Sequence, residues 1–157
     1  MKKAFPAFFI LILCFSLYAA EPDDLLGTIT REEILNHCPD WQEVAAAYNP
    51  KPEIIDKLRF IPQVIQVEIY LGTWCSDSKA HCSAYFKVLD LMDNPLVQTT
   101  YIGIPRDKAA RPPYIPEGKN ILQLPTFIVW INGEEKGRII EIPAKSIEED
   151  LLDIISR

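Results

Sequence analysis

The chain has 157 residues, of which 48% are hydrophobic and 24% charged, with a formal net charge of −6. That length suits one compact domain with a real core and requires no second one. The acidic balance argues against a surface built for nucleic acid or anionic membrane, since both repel negative charge; the plain reading is a solvated acidic surface that keeps the protein soluble.

Met1-Lys2-Lys3, the apolar run Ala4 to Tyr18 and the small pair Ala19-Ala20 form a secretory signal over residues 1–20: positive start, apolar middle, small residues at the cut. The run falls short of the ~20 residues a membrane-spanning helix requires. Cleavage near Ala19/Ala20 and export are therefore expected, with no membrane contact afterwards; the alternative is a chain anchored by an uncleaved N-terminal segment. Leu13 before Cys14 argues against lipid attachment, so Cys14 leaves with the signal. Losing Lys2 and Lys3 takes the net charge from −6 to −8. Cys38, Cys75 and Cys82 remain, an odd number that outside the cytosol leaves at least one thiol free or paired between molecules.

Residues 21–60 read as a polar helical extension with no strand signal. Thr30 and Glu33 have the spacing of a capping box, Pro39 ends the first helix, Asp40 starts a second through Trp41, Val44, Ala45 and Tyr48, and Pro50 and Pro52 precede a third. Residues 61–157 form the domain proper. Val64 to Leu71 is β-branched and mostly apolar, as suits a central strand buried on both faces. Helical spacing follows from Cys75 to Met92, with Ala80, Tyr85, Val88, Leu89 and Met92 on the apolar face and Asn94-Pro95 as the stop. A strand over Val97 to Ile104 completes a strand, helix, strand unit, which predicts a parallel pair with a right-handed crossover.

Pro105 to Gly118 carries four prolines and five charges and reads as a surface loop, a candidate lid or a bland insertion. Leu124-Pro125-Thr126 then opens a strand through Ile131, Asn132-Gly133 makes a hairpin turn, and Lys136 to Ile142 returns. Ser146 to Ile155 closes the chain as an amphipathic helix with Ile147, Leu151, Leu152 and Ile155 inward.

The chemistry concentrates in Leu71-Gly72-Thr73-Trp74-Cys75-Ser76-Asp77-Ser78. A strand that delivers a thiol to the first turn of a helix sets it among unpaired N–H groups and the positive end of the helix dipole, which favours thiolate. The strand ending in Trp74-Cys75, the helix after it, Pro125 at 50 residues from Cys75, the Asn132-Gly133 hairpin, Gly137 and the final helix together resemble the thioredoxin family over about residues 60–157. The Trp-Cys-Ser-Asp-Ser string is similar to a subgroup of bacterial thioredoxin-like proteins with a CxDS site, which makes the bacterial periplasm the expected compartment.

The resemblance implies a thioredoxin-like α/β fold, a central mixed β-sheet flanked by helices, with the N-terminal helical extension added. It makes Cys75 the nucleophile, Trp74 its aromatic neighbour and Pro125 the cis-proline facing the thiol, with Leu124 and Thr126 beside it in the substrate groove. A cis Leu124–Pro125 bond would free the Leu124 backbone to pair with an extended substrate segment. Three departures qualify this. Ser78 stands where thioredoxins have the resolving cysteine, so the site is CxxS, and its hydroxyl is a candidate donor to the Cys75 thiolate. Ile69 replaces a buried acid, with Glu68 beside it aimed the other way by strand alternation. Ser83 replaces a helix-kinking proline.

Cys82 lies seven residues along the helix, a rise of ~10.5 Å that exceeds the ~7 Å Cα limit for an unstrained disulfide. Its plain reading is a buried apolar residue; Cys38 is the other possible resolving thiol. Asp77 opposes a thiolate but favours the helix start, where capping is its plain role. His37 and His81 adjoin cysteines without the spacing of a metal site, so no metal and no cofactor are implied. The expected function is thiol–disulfide exchange through a single nucleophile, with protein or small-molecule thiols and disulfides as partners and an external reductant resolving the mixed disulfide. The alternative is a non-catalytic module that holds a partner in the proline groove.

Overall fold

The computed structural model describes residues 24–157, so the expected signal over 1–20 and Cys14 lie outside the described residues. The chain enters through a three-residue strand, β1 (Gly27–Ile29), which pairs antiparallel with Tyr101–Gly103. This corrects the strand-free reading of residues 21–60: three residues are too few to show a two-residue period, and Gly27, at φ +76°, enters the strand with a backbone conformation that glycine favours. Gly103 permits the approach, because a Cβ there would lie 2.0 Å from the Leu25 carbonyl oxygen.

Three short helices follow, α1 (Arg31–His37), α2 (Asp40–Ala47) and α3 (Pro52–Arg59). The Thr30–Glu33 capping box forms with both reciprocal bonds. Pro52 occupies the first position of α3, where its missing N–H costs nothing. Asp40 does not cap α2, whose N-cap is Pro39; its carboxylate instead takes the Lys79 ammonium at 2.5 Å.

The strand β2 (Ile65–Leu71) and β3 (Val97–Gly103) pair in parallel, with α4 (Ser76–Met92) crossing between them as expected. Strand β4 (Thr126–Ile131) runs antiparallel on the other side of β2, and β5 (Glu134–Ile140) returns antiparallel to β4. The turn between them has Asn132 and Gly133 at φ +54° and +77°, the left-handed pair that a tight hairpin needs. The five-stranded mixed sheet has the order β1-β3-β2-β4-β5. Helix α5 (Ile147–Ile155), capped by the Ser146 hydroxyl, closes the chain.

Strand alternation divides the sheet's surroundings sharply. Ile65, Val67, Ile69 and Leu71 of β2, with Phe127, Val129 and Ile131 of β4, join one core with Ile34, Trp41, Ile55, Leu58, Phe86, Met92 and Leu151 from the five helices. The N-terminal helices thus share the core of the domain. Helix α4 lies between sheet and α2, which is why Cys82 to Phe86 are buried without a break, while Ala80, expected inward, is exposed. The opposite face carries Tyr70, Ile104, Ile121, Leu124 and Ile128, packed by Trp74, Cys75, Tyr114 and Ile115. Its cover is the connection from Pro105 to Gln123, which contains only two 3₁₀ turns, Lys108–Ala110 and Pro112–Tyr114.

Candidate functional site

Strand β2 ends at Leu71, and two residues of turn later Trp74 and Cys75 stand at the head of α4. The Cys75 N–H donates to the Gly72 carbonyl at 3.0 Å, and Cys75 is itself the N-cap of the helix, with no side chain capping it. The Cys75 side chain therefore sits beside the helix's unpaired first-turn N–H groups, an arrangement that favours an anion. Asp77 lies in that first turn without the capping bond expected of it.

Gly72 is required by Trp74. A Cβ at position 72 would come within 2.6 Å of the indole, so only glycine lets the ring fold back over the strand end. There the indole N–H donates to the Ile104 carbonyl at 2.9 Å, which fixes Trp74 between the helix start and the end of β3.

Facing this turn, the Leu124–Pro125 bond is cis, as the resemblance implied. The Cys75 thiol approaches the Leu124 carbonyl at 3.7 Å. Thr126, fully buried, donates its hydroxyl to the Gln123 carbonyl at 2.7 Å and so shapes the turn; it is the back wall of the site. Trp74, Cys75 and Leu124 thus pack together, and Pro125 and Thr126 carry the chain on from Leu124.

The other nominated residues fall elsewhere. Ser78 is fully buried and its hydroxyl accepts from the Gly72 N–H at 3.1 Å. The expectation of a bond to the Cys75 thiolate is corrected: the hydroxyl pins the turn, because one helical turn past the N-cap it points back at the strand end. Cys82 is fully buried, and burial first, with the neighbouring Cys75 second, pushes its thiol well above the ordinary cysteine range. It behaves as the buried apolar residue its position on α4 suggests.

Cys38 closes α1 as its C-cap, and its sulfur lies 4.0 Å from the Thr73 carbonyl oxygen. Burial and then the Asp40 carboxylate push its thiol up, with Lys79 pulling in the other direction. Among the described residues the three cysteines, Cys38, Cys75 and Cys82, form no disulfide. His81 is held below the ordinary histidine range by burial, with Asp77 opposing. Glu68 points away from the main core and takes Lys119 Nζ at 2.6 Å, while Ile69 is fully buried, as alternation requires.

Two basic site residues and a threonine escaped the sequence reading. The Arg106 and Arg111 guanidinium carbons lie 5.4 and 5.7 Å from the Trp74 ring centroid, so two cations flank the aromatic next to the thiol. Their signal was sign rather than number: Arg106, Lys108 and Arg111 crowd six positions of an otherwise acidic chain. Thr73 is the third omission, with its hydroxyl accepting from the Leu25 N–H at 3.4 Å and tying the turn to the entering chain.

No protein-family model and no curated protein matches the chain. Solved structures do match its fold. An HIV epitope-scaffold is 14% identical, with 82% of this chain and 91% of that one covered at a TM-score of 0.58. A protein of unknown function from Pseudomonas aeruginosa is 13% identical, with coverage of 80% and 81% and a TM-score of 0.54. At such identities the likeness is one of fold alone. Among the described residues no helix is long and apolar enough to cross a membrane.

Proposed function

We propose that the chain is a thioredoxin-like protein that carries out thiol–disulfide exchange through Cys75 alone, in the bacterial periplasm. The observation that carries the reading is the seat of this thiol: Cys75 occupies the N-cap position of α4, and its sulfur lies 3.7 Å from the Leu124 carbonyl oxygen beside Pro125. A nucleophilic sulfur needs an open face for a disulfide, and the half-buried Cys75 at the head of α4 keeps one.

The chemistry balances without a second active-site sulfur. Cys75 thiolate attacks one sulfur of R–S–S–R; a Cys75–S–S–R bond forms, the old bond breaks, and RS⁻ leaves and takes a proton from water. An external thiol then attacks the R sulfur, forming its own disulfide with R and returning Cys75 as thiolate. The external step is needed because Ser78 brings no sulfur, while Cys82 is sealed in the core. Cys38 remains the one thiol near the turn that could serve from within the chain.

Exchange with a neutral disulfide, followed as release of the leaving thiol, tests this. Cys75→Ala should lower the rate by roughly a thousandfold or more, the scale on which losing a nucleophile acts, while Cys82→Ala leaves it nearly unchanged. Loss in both variants would replace the single-thiol cycle with a Cys75/Cys82 one. A second reading, a partner-binding module without catalysis, draws on the engagement of the Ser78 hydroxyl by Gly72. Alkylation of Cys75 no faster than that of an ordinary unperturbed thiol would select it.

A further inference from the structure

The protein is acidic, yet the connection that walls the thiol is locally basic. Arg106 and Lys108 are exposed, Arg111 is half-buried, and among the described residues none of the three forms a salt bridge, whereas Lys51, Lys79, Lys119, Lys136, Arg138 and Lys145 all do. The acids of the connection do not neutralise them. Asp107 spends a carboxylate oxygen on the Ala109 N–H, and Glu117 makes no salt bridge. Arg111 is braced by bonds from Nε to the Pro105 carbonyl at 3.1 Å and from one terminal nitrogen to the Arg106 carbonyl at 3.4 Å, which leaves its other terminal nitrogen unused.

A stacked guanidinium keeps its edge N–H groups for an anion. Arg106 and Arg111 hold theirs against Trp74, the residue next to Cys75. Arg111 belongs both to that stack and to the wall of a groove of about 450 Å³ lined also by Lys108, Ile115, Ile121 and Leu122. Leu122 is 80% exposed. The groove therefore has a cationic lip and an apolar floor, and its Ile115 and Ile121 belong to the apolar cluster that also holds Trp74, Cys75 and Leu124.

We propose that this groove selects anionic disulfides: substrates whose cysteine is flanked by a carboxylate, which Arg106, Lys108 and Arg111 receive while the adjoining carbons lie on Ile115, Ile121 and Leu122. The inference deepens the thiol-exchange reading and rests on it for the reacting sulfur only. Because the protein as a whole repels anions, a preference for them can arise only locally.

Single-turnover exchange with dithiodiglycolate (dianionic), bis(hydroxyethyl) disulfide (neutral) and cystamine (dicationic) tests it, each read as the ratio of unsubstituted protein to the Arg106→Gln/Lys108→Gln variant. In each case Cys75 thiolate forms one S–S bond, and one thiolate leaves. The variant should lose about tenfold more with the dianion than with the neutral disulfide at low salt, the lower end of the range for local electrostatic steering, and gain with the dication relative to the neutral disulfide. Arg106→Glu/Lys108→Glu should push the dianion down further and the dication up. Equal ratios for all three disulfides, whether unchanged or uniformly lowered, overturn the proposal.

A second arm needs no chemistry. The unreactive thioether thiodiglycolate is titrated while the Trp74 indole N–H resonance is followed, in unsubstituted protein and in the Arg106→Gln/Lys108→Gln variant. A saturating shift that the variant abolishes supports the groove even if exchange is absent, in which case the thiol-exchange reading falls and the anion site stands. No shift at millimolar ligand, or the same shift in the variant, overturns the anion site even if the neutral disulfide reacts.

Discussion

The two faces of the sheet are built on opposite terms. One lies under five helices, and its residues are apolar and closed to solvent: Trp41, Phe86, Phe127 and Met92 are each no more than 1% exposed. The other has an irregular connection for a cover, and its pairs are mixed: Lys119 bridges Glu68 at 2.6 Å and lies 4.4 Å from the Trp130 ring, whose indole N–H is buried without a partner. The Cys75 thiol packs with the second face. The difference separates two kinds of packing: the helical face buries most of the apolar core, and the face without helices leaves the Cys75 sulfur half-buried under an irregular cover.

If that division holds, a large deletion in the helical core should unfold the protein without touching the thiol. Trp41→Ala is expected to cost about 3–5 kcal/mol in denaturant unfolding, since it empties a fully buried site beneath α4, while the folded fraction exchanges disulfides at the original rate. A changed rate in that fraction would show the two faces to be coupled.

Ser78 and Ser83 sharpen the comparison, because both are fully buried on α4 and should respond with opposite signs. Ser78→Ala strands the Gly72 N–H, so a loss of about 1–3 kcal/mol is expected, together with slower exchange as the turn before Cys75 loosens. Calorimetry and the neutral-disulfide assay read the two effects. The Ser83 hydroxyl has no partner at all. Ser83→Ala should be neutral or stabilising by up to about 1 kcal/mol, with no kinetic effect; destabilisation would mean that the hydroxyl serves a group on the core side.

How much of this was legible in the sequence follows the range of the forces involved. Local rules served well for the Thr30–Glu33 box and the Asn132-Gly133 turn, which depend on a few neighbouring residues; the parallel strands around α4 followed from the order strand, helix, strand, and the cis Leu124–Pro125 bond from the family resemblance. The cluster of Trp74, Cys75 and Leu124 came from a pattern spread over 50 residues, and the fold brings it together. What escaped depended on partners distant in the chain. β1 pairs with the edge that β3 offers, and the carboxylate of Asp40, the first residue of α2 as expected, meets Lys79 of α4. Ser78 turns from the thiol to a backbone amide that no spacing rule marks. The Arg106 and Arg111 pair shows its purpose only when the indole between them is in place.

The buried carboxylate of Glu148 shows a different kind of joint. It accepts from the Tyr48 hydroxyl at 2.6 Å and the Lys51 N–H at 3.1 Å, tying α5 to the segment between α2 and α3 across about a hundred residues of sequence.

The strand order has a last consequence, for solubility. An open sheet offers two unpaired rims to other molecules, and a long flat apolar rim invites stacking into aggregates. Here β1 covers Tyr101–Gly103 of β3 and leaves that rim to the polar stretch Gln98-Thr99-Thr100. At the opposite rim, β5 carries Glu134, Glu135, Lys136 and Arg138. A second copy meeting either rim would find charge or hydroxyls where it needs a flat apolar ribbon, so the sheet stays open at both sides without recruiting its neighbours.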